Sequence, residues 1–150
     1  METYIALLRG INVSGQKKIK MADLRLHLEE LNFQNILTHY GFEVSVLIKT
    51  PEDLENTIKN NPFLQDSAKD PKYFYVTFLA KAPSLDGIEK LKEKDYSPEE
   101  YDLMDELIYV YPPQGYGRAK MNNNFFEKKL KVAATTRNWR TIHKLLEMAT

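Results

Sequence analysis

The chain has 150 residues, of which 43% are hydrophobic and 11% aromatic, and this composition fits one domain, or two small halves that share a core, and excludes global disorder. It contains no cysteine, which excludes a disulfide framework, thiolate catalysis and cysteine-based zinc sites. The 21 basic and 21 acidic residues cancel, but residues 84–106 hold three basic and nine acidic residues, whereas residues 107–150 hold eight basic and two acidic ones.

The first third of the chain alternates between strand and helix periodicity. Residues 4–9 are apolar enough for a strand, and a loop bracketed by glycines follows at residues 10–15. Apolar residues at helical spacing over 21–31 predict an amphipathic helix. Residues 36–40 and 42–48 are typical of strands, the second being rich in β-branched residues.

A helix start follows these strands. Thr50 offers an N-cap hydroxyl, Pro51 fits the first helical position, and Asp53 is the acid that completes a capping box. Asn61, which precedes a proline, is expected to end this helix. The residues expected on its buried side are Leu54 and Ile58.

Two further strands are predicted at residues 73–79 and 107–111. In the first, strict alternation places Tyr73, Tyr75 and Thr77 on one face of the sheet. The opposite face would carry Phe74, Val76 and Phe78.

Three helices complete the prediction. Ser84 caps the first, with Ile88 and Leu91 facing inward, and Asn124 with Glu127 forms a capping pair for the second. The second helix is expected to bury Phe126 and Leu130. The last helix covers residues 133–149, with Thr135 or Thr136 as its cap, and its apolar stripe consists of Trp139, Ile142, Leu146 and Ala149.

The order of these elements, starting at Tyr4, contains β-α-β-β-α-β, the order of the ferredoxin-like motif. The sequence therefore predicts an α+β fold, a ferredoxin-like sandwich with helices packed on an antiparallel or mixed sheet. We expect a single domain over residues 1–150, with 1–80 and 81–150 as possible halves. The apolar run near the N-terminus is too short for a signal peptide or a membrane span, so a cytoplasmic protein without membrane contact is expected.

Three stretches are distinctive: YIALLRGINVSGQKKIKMADLR at residues 4–25, NNPF at 60–63 and EKKLKVAATTRNWRTIHKLLEM at 127–148. They resemble the bacterial family known as domain of unknown function 1697, whose members typically open with Arg-Gly-Ile-Asn-Val-Gly-Gly and close with Ala-Thr-Thr-Arg-Asn-Trp. The resemblance covers nearly the whole chain and implies a cytoplasmic α+β protein. It implies no particular reaction, because the family has no established one.

The sequence departs from this family at one point. Family members usually carry a Gln-Ser-Gly-Asn stretch and another helix between a Thr-x-Tyr and a Gly-Phe, whereas here Thr38 to Tyr40 run directly into Gly41 and Phe42. The resemblance therefore implies that a segment is deleted or missing between Tyr40 and Gly41. A site that used this segment would be incomplete.

The loop GINVSGQKK at residues 10–18 is partly similar to a phosphate-binding P-loop. Gln16 interrupts the Gly-Lys pair of that motif and no hydroxyl residue follows Lys18, so nucleotide hydrolysis is not predicted. A looser anion contact through Arg9, Lys17 and Lys18 is one interpretation of this loop, and an ordinary surface loop is the other.

The predicted start of the last helix carries Arg137 and Arg140 and no acid, although a helix N-terminus favours anions. Free backbone N–H groups at a helix start form an anion site. A bound phosphate or carboxylate beside Arg137 would make these cations favourable; alternatively, Arg137 pairs with an acid elsewhere in the chain. The predicted ligand-binding residues are Arg9, Lys17, Lys18, Thr136, Arg137 and Arg140.

Tyrosines on the two C-terminal strands raise one further alternative. Tyr73 and Tyr75 could share a sheet face with Tyr109 and Tyr111, as in domains that stack single-stranded bases. The same face could equally serve as a packing surface.

The sequence thus favours a module that binds a phosphate-bearing ligand, either nucleic acid or a phosphorylated small molecule. The alternatives are an enzyme using Arg9, Lys17 and Arg137 around an anionic substrate, or a purely structural interaction domain. His27, His39 and His143 lack ligand spacing, and neither a metal nor a cofactor is predicted.

Overall fold

The computed structural model describes residues 2–10, 20 and 45–150 of the chain. The chain divides into two compact units, one formed by residues 1–5 and 48–150 and the other by residues 6–47. The predicted loop at 10–18, helix at 21–31 and strand at 36–40 lie wholly or largely outside the described residues, as do Lys17 and Lys18. The predicted halves 1–80 and 81–150 stay a prediction.

The predicted first strand is confirmed as β1, Ile5–Leu8, which pairs with β2, Val46–Lys49, in a two-stranded sheet. After β2, helix α1 covers Pro51–Lys59 and begins with the predicted capping box. The Thr50 hydroxyl accepts a bond of 3.1 Å from the Asp53 N–H, and the Asp53 carboxylate accepts one of 2.8 Å from the Thr50 N–H. This start is confirmed because all its determinants lie within four neighbouring residues.

Four antiparallel strands form the main sheet: β3, Tyr75–Leu79; β4, Glu100–Met104; β5, Leu107–Tyr111; and β6, Ala134–Asn138. Their order across the sheet is β4-β5-β3-β6. Helix α2, Leu85–Lys92, connects β3 to β4, and helix α3, Asn123–Leu130, connects β5 to β6.

The elements from β3 to β6 therefore follow one another as β-α-β-β-α-β. The predicted α+β class, with helices on an antiparallel sheet, is confirmed. The sequence predicted this order at residues 4–79, much of which lies outside the described residues, and the described residues show it at 75–138. The order at 75–138 includes β4 and β6, two strands that the sequence analysis did not predict.

Helices α2 and α3 cover one face of this sheet. Leu91 of α2 and Phe126 of α3 are fully buried against Ile108 and Val110 of β5. Ser84 caps α2 as predicted, through a bond of 3.2 Å to the Gly87 N–H. These contacts form the core that lies beneath the candidate site described below.

The predicted cap of α3 is wrong, because Asn122 caps this helix and Asn124 does not. The Asn122 carboxamide oxygen accepts a bond of 3.0 Å from the Phe125 N–H. Glu127 instead accepts a bond of 2.8 Å from the Ala134 N–H, which ties the helix to β6. Three consecutive asparagines could each serve as a cap, and contacts with β6 decide among them.

The opposite face of the sheet is covered by α1 and by the last helix, α4, Trp139–Ala149. The rings of Phe74 and Trp139 meet edge to face, with centroids 5.9 Å apart. Tyr109 is fully buried on this face, and its hydroxyl donates a bond of 2.9 Å to the Thr57 carbonyl. Short 3-10 helices occupy Pro62–Gln65, Pro71–Tyr73 and Tyr116–Arg118.

The last helix starts at Trp139, so the prediction that it covers residues 133–149 with a threonine cap is wrong. Asn138 is the cap, and its carboxamide oxygen accepts a bond of 2.8 Å from the Thr141 N–H. The residues before it form β6, where Thr135 pairs with Phe78 of β3. Strand pairing with a distant segment outweighs the local helical pattern here.

The predicted tyrosine face is also wrong. In the register of β3 and β5, Tyr75 lies opposite Val110 and Val76 lies opposite Tyr109, so Tyr75 and Tyr109 point to opposite faces. Tyr75 stacks on Tyr116 with centroids 4.5 Å apart. Tyr73 and Tyr111 do meet edge to face, with centroids 6.5 Å apart, but the four tyrosines do not share one sheet face.

Candidate functional site

The structure describes four of the six residues that the sequence analysis placed in one anion site, and whether all six meet stays a prediction. Thr136 and Arg137 are neighbours in β6, so their side chains point to opposite faces of the sheet. Arg140 is exposed on α4, and the Arg9 N–H donates to the Ser45 carbonyl at 3.0 Å beside β1 and β2. Of the six predicted residues, Lys17 and Lys18 lie outside the described part of the chain.

The Thr136 hydroxyl is hydrogen-bonded to other side chains of the fold. It lies 2.8 Å from that of Thr77 and donates to the Asn123 carboxamide oxygen at 2.9 Å. This network joins β3, β6 and the first turn of α3, so Thr136 has a structural role on that face.

Arg137 is a half-buried cation that bonds to its own strand. Its Nη1 donates to the Thr135 hydroxyl at 2.8 Å and to the Thr136 carbonyl at 2.9 Å. Burial lowers the pKa of this guanidinium. Arg137 lies in β6, so only Arg140 of the two arginines occupies the first turn of α4. The start of this helix therefore carries one cation instead of the predicted two.

One cleft of about 340 Å³ lies beside α1 and the turn between β4 and β5. Its rim carries the carboxylates of Asp53, Asp105 and Glu106, against one ammonium group, that of Lys49. The Lys49 ammonium lies 5.8 Å from the centroid of the Phe78 ring. An excess of carboxylates repels phosphate, so this cleft does not fit the ligand class that the sequence favours.

A second cleft, of about 290 Å³, has the opposite charge balance. We name it the lysine cleft. It lies between the turn after α2 and the outer face of α3, and it is lined by Lys94, Asp95, Tyr96, Lys120, Phe125 and Lys129.

Local structure positions the three lysines. Lys129 lies four residues after Phe125 on α3, so both side chains share one face of that helix. Lys120 is held by the Glu99 carboxylate, which accepts bonds of 2.7 Å from the Lys120 N–H and 2.8 Å from the Met121 N–H. Lys94 lies in the turn that follows α2. Segments far apart in sequence thus bring three lysines to the lining of one cleft.

The positive charge of the lysine cleft is not neutralised from within. Across the part of the chain that the structure describes, Lys94, Lys120 and Lys129 have no carboxylate within ion-pair distance. The only acid in the cleft, Asp95, accepts bonds from the Ser97 N–H at 2.8 Å and from the Ser97 hydroxyl at 2.6 Å. These bonds lower the Asp95 pKa, with the bond from the hydroxyl contributing most. The cleft therefore carries a net positive charge.

Aromatic rings form the wall of the lysine cleft. Tyr96 and Phe125 meet edge to face with centroids 5.2 Å apart, and Tyr96 meets Tyr101 in the same way at 6.2 Å. The Tyr96 hydroxyl is buried and has no hydrogen-bond partner among the described residues. Burial, with a smaller effect from Glu93, raises its pKa.

Replacing Tyr96 by phenylalanine is expected to leave the free energy of unfolding unchanged or to raise it by about 1 kcal/mol. The reason is that a buried hydroxyl without a partner costs about 1 to 3 kcal/mol, which the phenyl ring avoids. Urea denaturation of both proteins measures the difference. A loss greater than about 1 kcal/mol would mean that the hydroxyl does have a partner.

The sequence analysis missed the lysine cleft. The excess of basic residues in 107–150 was a signal for Lys120 and Lys129. Lys94, however, belongs to the acidic segment 84–106 and gave no signal of its own. Only the packing of α2 against α3 unites these residues.

The described residues include no helix that is both long enough and apolar enough to cross a membrane. Cytoplasmic location stays a prediction.

A family model described as a protein of unknown function, DUF1697, matches residues 1–40 and 36–109. The two matches meet at residues 36–40, next to the predicted departure from the family pattern. No curated protein matches the chain.

Among solved structures, the conserved bacterial protein SP0830 from Streptococcus pneumoniae is similar, with a TM-score of 0.72 and 20% identity over 99% of each chain. At this level of identity, the likeness supports the fold alone.

Proposed function

This chain belongs to the DUF1697 family, whose description gives no reaction, and we propose from its geometry that it is a module that binds a phosphate-bearing ligand in the lysine cleft. The observation that carries this proposal is the convergence of Lys94, Lys120 and Lys129 without a neutralising partner in the described structure. Three like charges in one cleft repel each other, and a bound phosphate removes that repulsion.

The aromatic wall adds to this chemistry. Phosphate oxygens accept bonds from ammonium groups, while the rings of Tyr96 and Phe125 offer an apolar surface for the rest of the ligand. Nucleotides and other phosphorylated ring compounds combine these two properties. The ligand class is therefore a phosphate attached to a planar or apolar group.

The proposal is tested by thermal unfolding at low salt with inorganic phosphate and with a nucleoside monophosphate. A ligand that binds only the folded protein stabilises it, by about 2.7 kcal/mol at a concentration of one hundred times Kd. The double variant Lys120→Gln and Lys129→Gln is expected to lose most of this stabilisation. Its basal unfolding temperature should change little, because neither side chain has an ion-pair partner among the described residues.

The matched control is the double variant Lys92→Gln and Lys128→Gln. These lysines lie in the last turns of α2 and α3 and are exposed, so the control removes the same number of charges from positions that do not line the cleft. Equal losses in both variants would indicate bulk electrostatic attraction and contradict a defined site. The proposal also fails if neither compound stabilises the unmutated protein.

The same experiment also tests the arginines that the sequence analysis predicted to bind the anion. Arg137→Ala is expected to weaken ligand stabilisation if Arg137 and Arg140, with Arg9, Lys17 and Lys18, bind the anion. If Arg137 is structural, the variant should be less stable without ligand and respond to ligand normally. The partly buried guanidinium, bonded to Thr135 and Thr136, favours the structural outcome.

Two other functions remain as predictions. An enzyme acting on an anionic substrate through Arg9, Lys17 and Arg137 would require those residues to meet around a reacting group. A purely structural interaction domain would show no phosphate binding at all. The stabilisation experiment distinguishes the second of these from a binding module directly.

A further inference from the structure

A third cleft adjoins the lysine cleft. It has a volume of about 270 Å³, and we name it the arginine cleft; it is lined by the turn before β4 and by the loop between β5 and α3. Tyr96 and Lys120 line both clefts, so the two are neighbours on one surface. The arginine cleft adds Pro98, Pro112, Gln114 and Arg118.

Resting on the proposed function, we infer that the two clefts form one groove for single-stranded nucleic acid. Each cleft alone lies just below the range of roughly 300 to 1,000 Å³ that ligand pockets occupy. Joined at Tyr96 and Lys120, they form a longer surface than either cleft alone. Proteins that bind single strands combine a positive groove along the backbone with flat surfaces for the bases.

The charges of the groove fit an extended polyanion. Lys94 and Lys129 lie in the lysine cleft, Lys120 at the junction, and Arg118 in the arginine cleft. Among the described residues, Arg118 has no ion-pair partner. The cations are thus distributed along the groove, as successive phosphates of one strand require.

Two carboxylates line the groove as well, and both accept bonds from the protein. Glu99 accepts two backbone N–H bonds in the arginine cleft, and Asp95 accepts the two bonds from Ser97. With four cations and two carboxylates, the balance of the groove is +2. At this end of the groove, Arg118 and Lys120 outnumber the Glu99 carboxylate by two to one.

The uncharged side chains that line the groove can contact nucleic-acid bases. The rings of Tyr96, Pro98 and Phe125 offer flat apolar contacts, and the exposed Gln114 carboxamide can donate and accept at a base edge. Bases of a single strand can be splayed out onto such surfaces, whereas the base faces of a duplex are stacked on one another. The groove therefore favours a single strand.

The test uses fluorescence anisotropy with a labelled single strand of about twelve nucleotides, within the range of known site sizes. Arg118→Gln is expected to weaken binding of the strand about tenfold and to reduce the salt dependence by one phosphate contact, about 0.7 in the logarithmic slope. Stabilisation by a nucleoside monophosphate should persist, because Arg118 is absent from the lysine cleft. The control, Arg140→Gln, removes the same charge from an exposed position on α4.

Equal effects of Arg118→Gln and Arg140→Gln would overturn the groove, as would a nucleoside monophosphate that binds as tightly as the strand. A duplex of the same sequence that binds as well as the single strand would overturn the preference for single strands. Each of these results leaves the lysine cleft intact if the monophosphate still stabilises the protein in a manner that requires Lys120 and Lys129. Loss of that stabilisation pattern would instead contradict the proposed function.

Discussion

Replacing Trp139 by alanine is expected to lower the free energy of unfolding by about 3 to 5 kcal/mol, the usual cost of truncating a large aromatic side chain in a core. Trp139 is only 8% exposed and packs edge to face on Phe74. The centroid of the His143 ring lies 5.1 Å from that of Trp139, and these two rings also meet edge to face. The alanine variant leaves a cavity at the junction of α4 and the sheet, and urea denaturation measures its cost.

The matched control for this prediction is Met148→Ala on the same helix. Met148 is 74% exposed, so its truncation should change stability by no more than about 0.5 kcal/mol. A loss below about 1 kcal/mol for Trp139→Ala would contradict its role in the core. That result would make Trp139 a candidate for stacking on a ligand.

Alkaline pH is expected to destabilise the protein through Tyr109. Burial, with a smaller effect from Asp102, raises the Tyr109 pKa to about 12 from its ordinary value of 10.0. The unfolded chain therefore releases this proton first. The neutral hydroxyl stabilises the folded state fully below about pH 10, and this stability, up to about 2 to 3 kcal/mol, is lost as the pH rises to about 12.

The comparison with Tyr109→Phe isolates this effect. Near neutral pH, the variant should be less stable by about 1 to 2 kcal/mol, because it loses the bond to the Thr57 carbonyl. As the pH rises above about 10, the difference between the two proteins should shrink or reverse. Urea denaturation across this range measures it, and a constant difference would contradict the raised pKa.

The Thr57 carbonyl explains why this hydroxyl matters. It lies in the last turn of α1, where carbonyl groups lack partners within the helix. The N–H of Asn61 bonds to Ile58 instead, at 3.4 Å. Tyr109, on a strand far away in sequence, thus gives this helix carbonyl a hydrogen-bond donor. No local sequence pattern could have revealed this contact.

The sequence by itself determined the elements whose causes are local. The start of α1 depends on Thr50, Pro51 and Asp53 within one turn, and the bounds of β5 follow from an apolar run closed by prolines. The buried positions of Phe126 and Leu130 followed from helical periodicity in the same way. In each case the decisive groups are near neighbours along the chain.

Only the tertiary structure decided the elements that need a distant partner. Residues 134–138 form β6 because they pair with β3, some sixty residues earlier, and this moves the start of α4 to Trp139. The same pairing sends Thr136 and Arg137 to opposite faces. The lysine cleft likewise requires α2 and α3 to pack side by side, since Lys94 is separated in sequence from Lys120 and Lys129. Sequence patterns report propensity and periodicity, whereas strand register and helix packing depend on contacts that no local window contains.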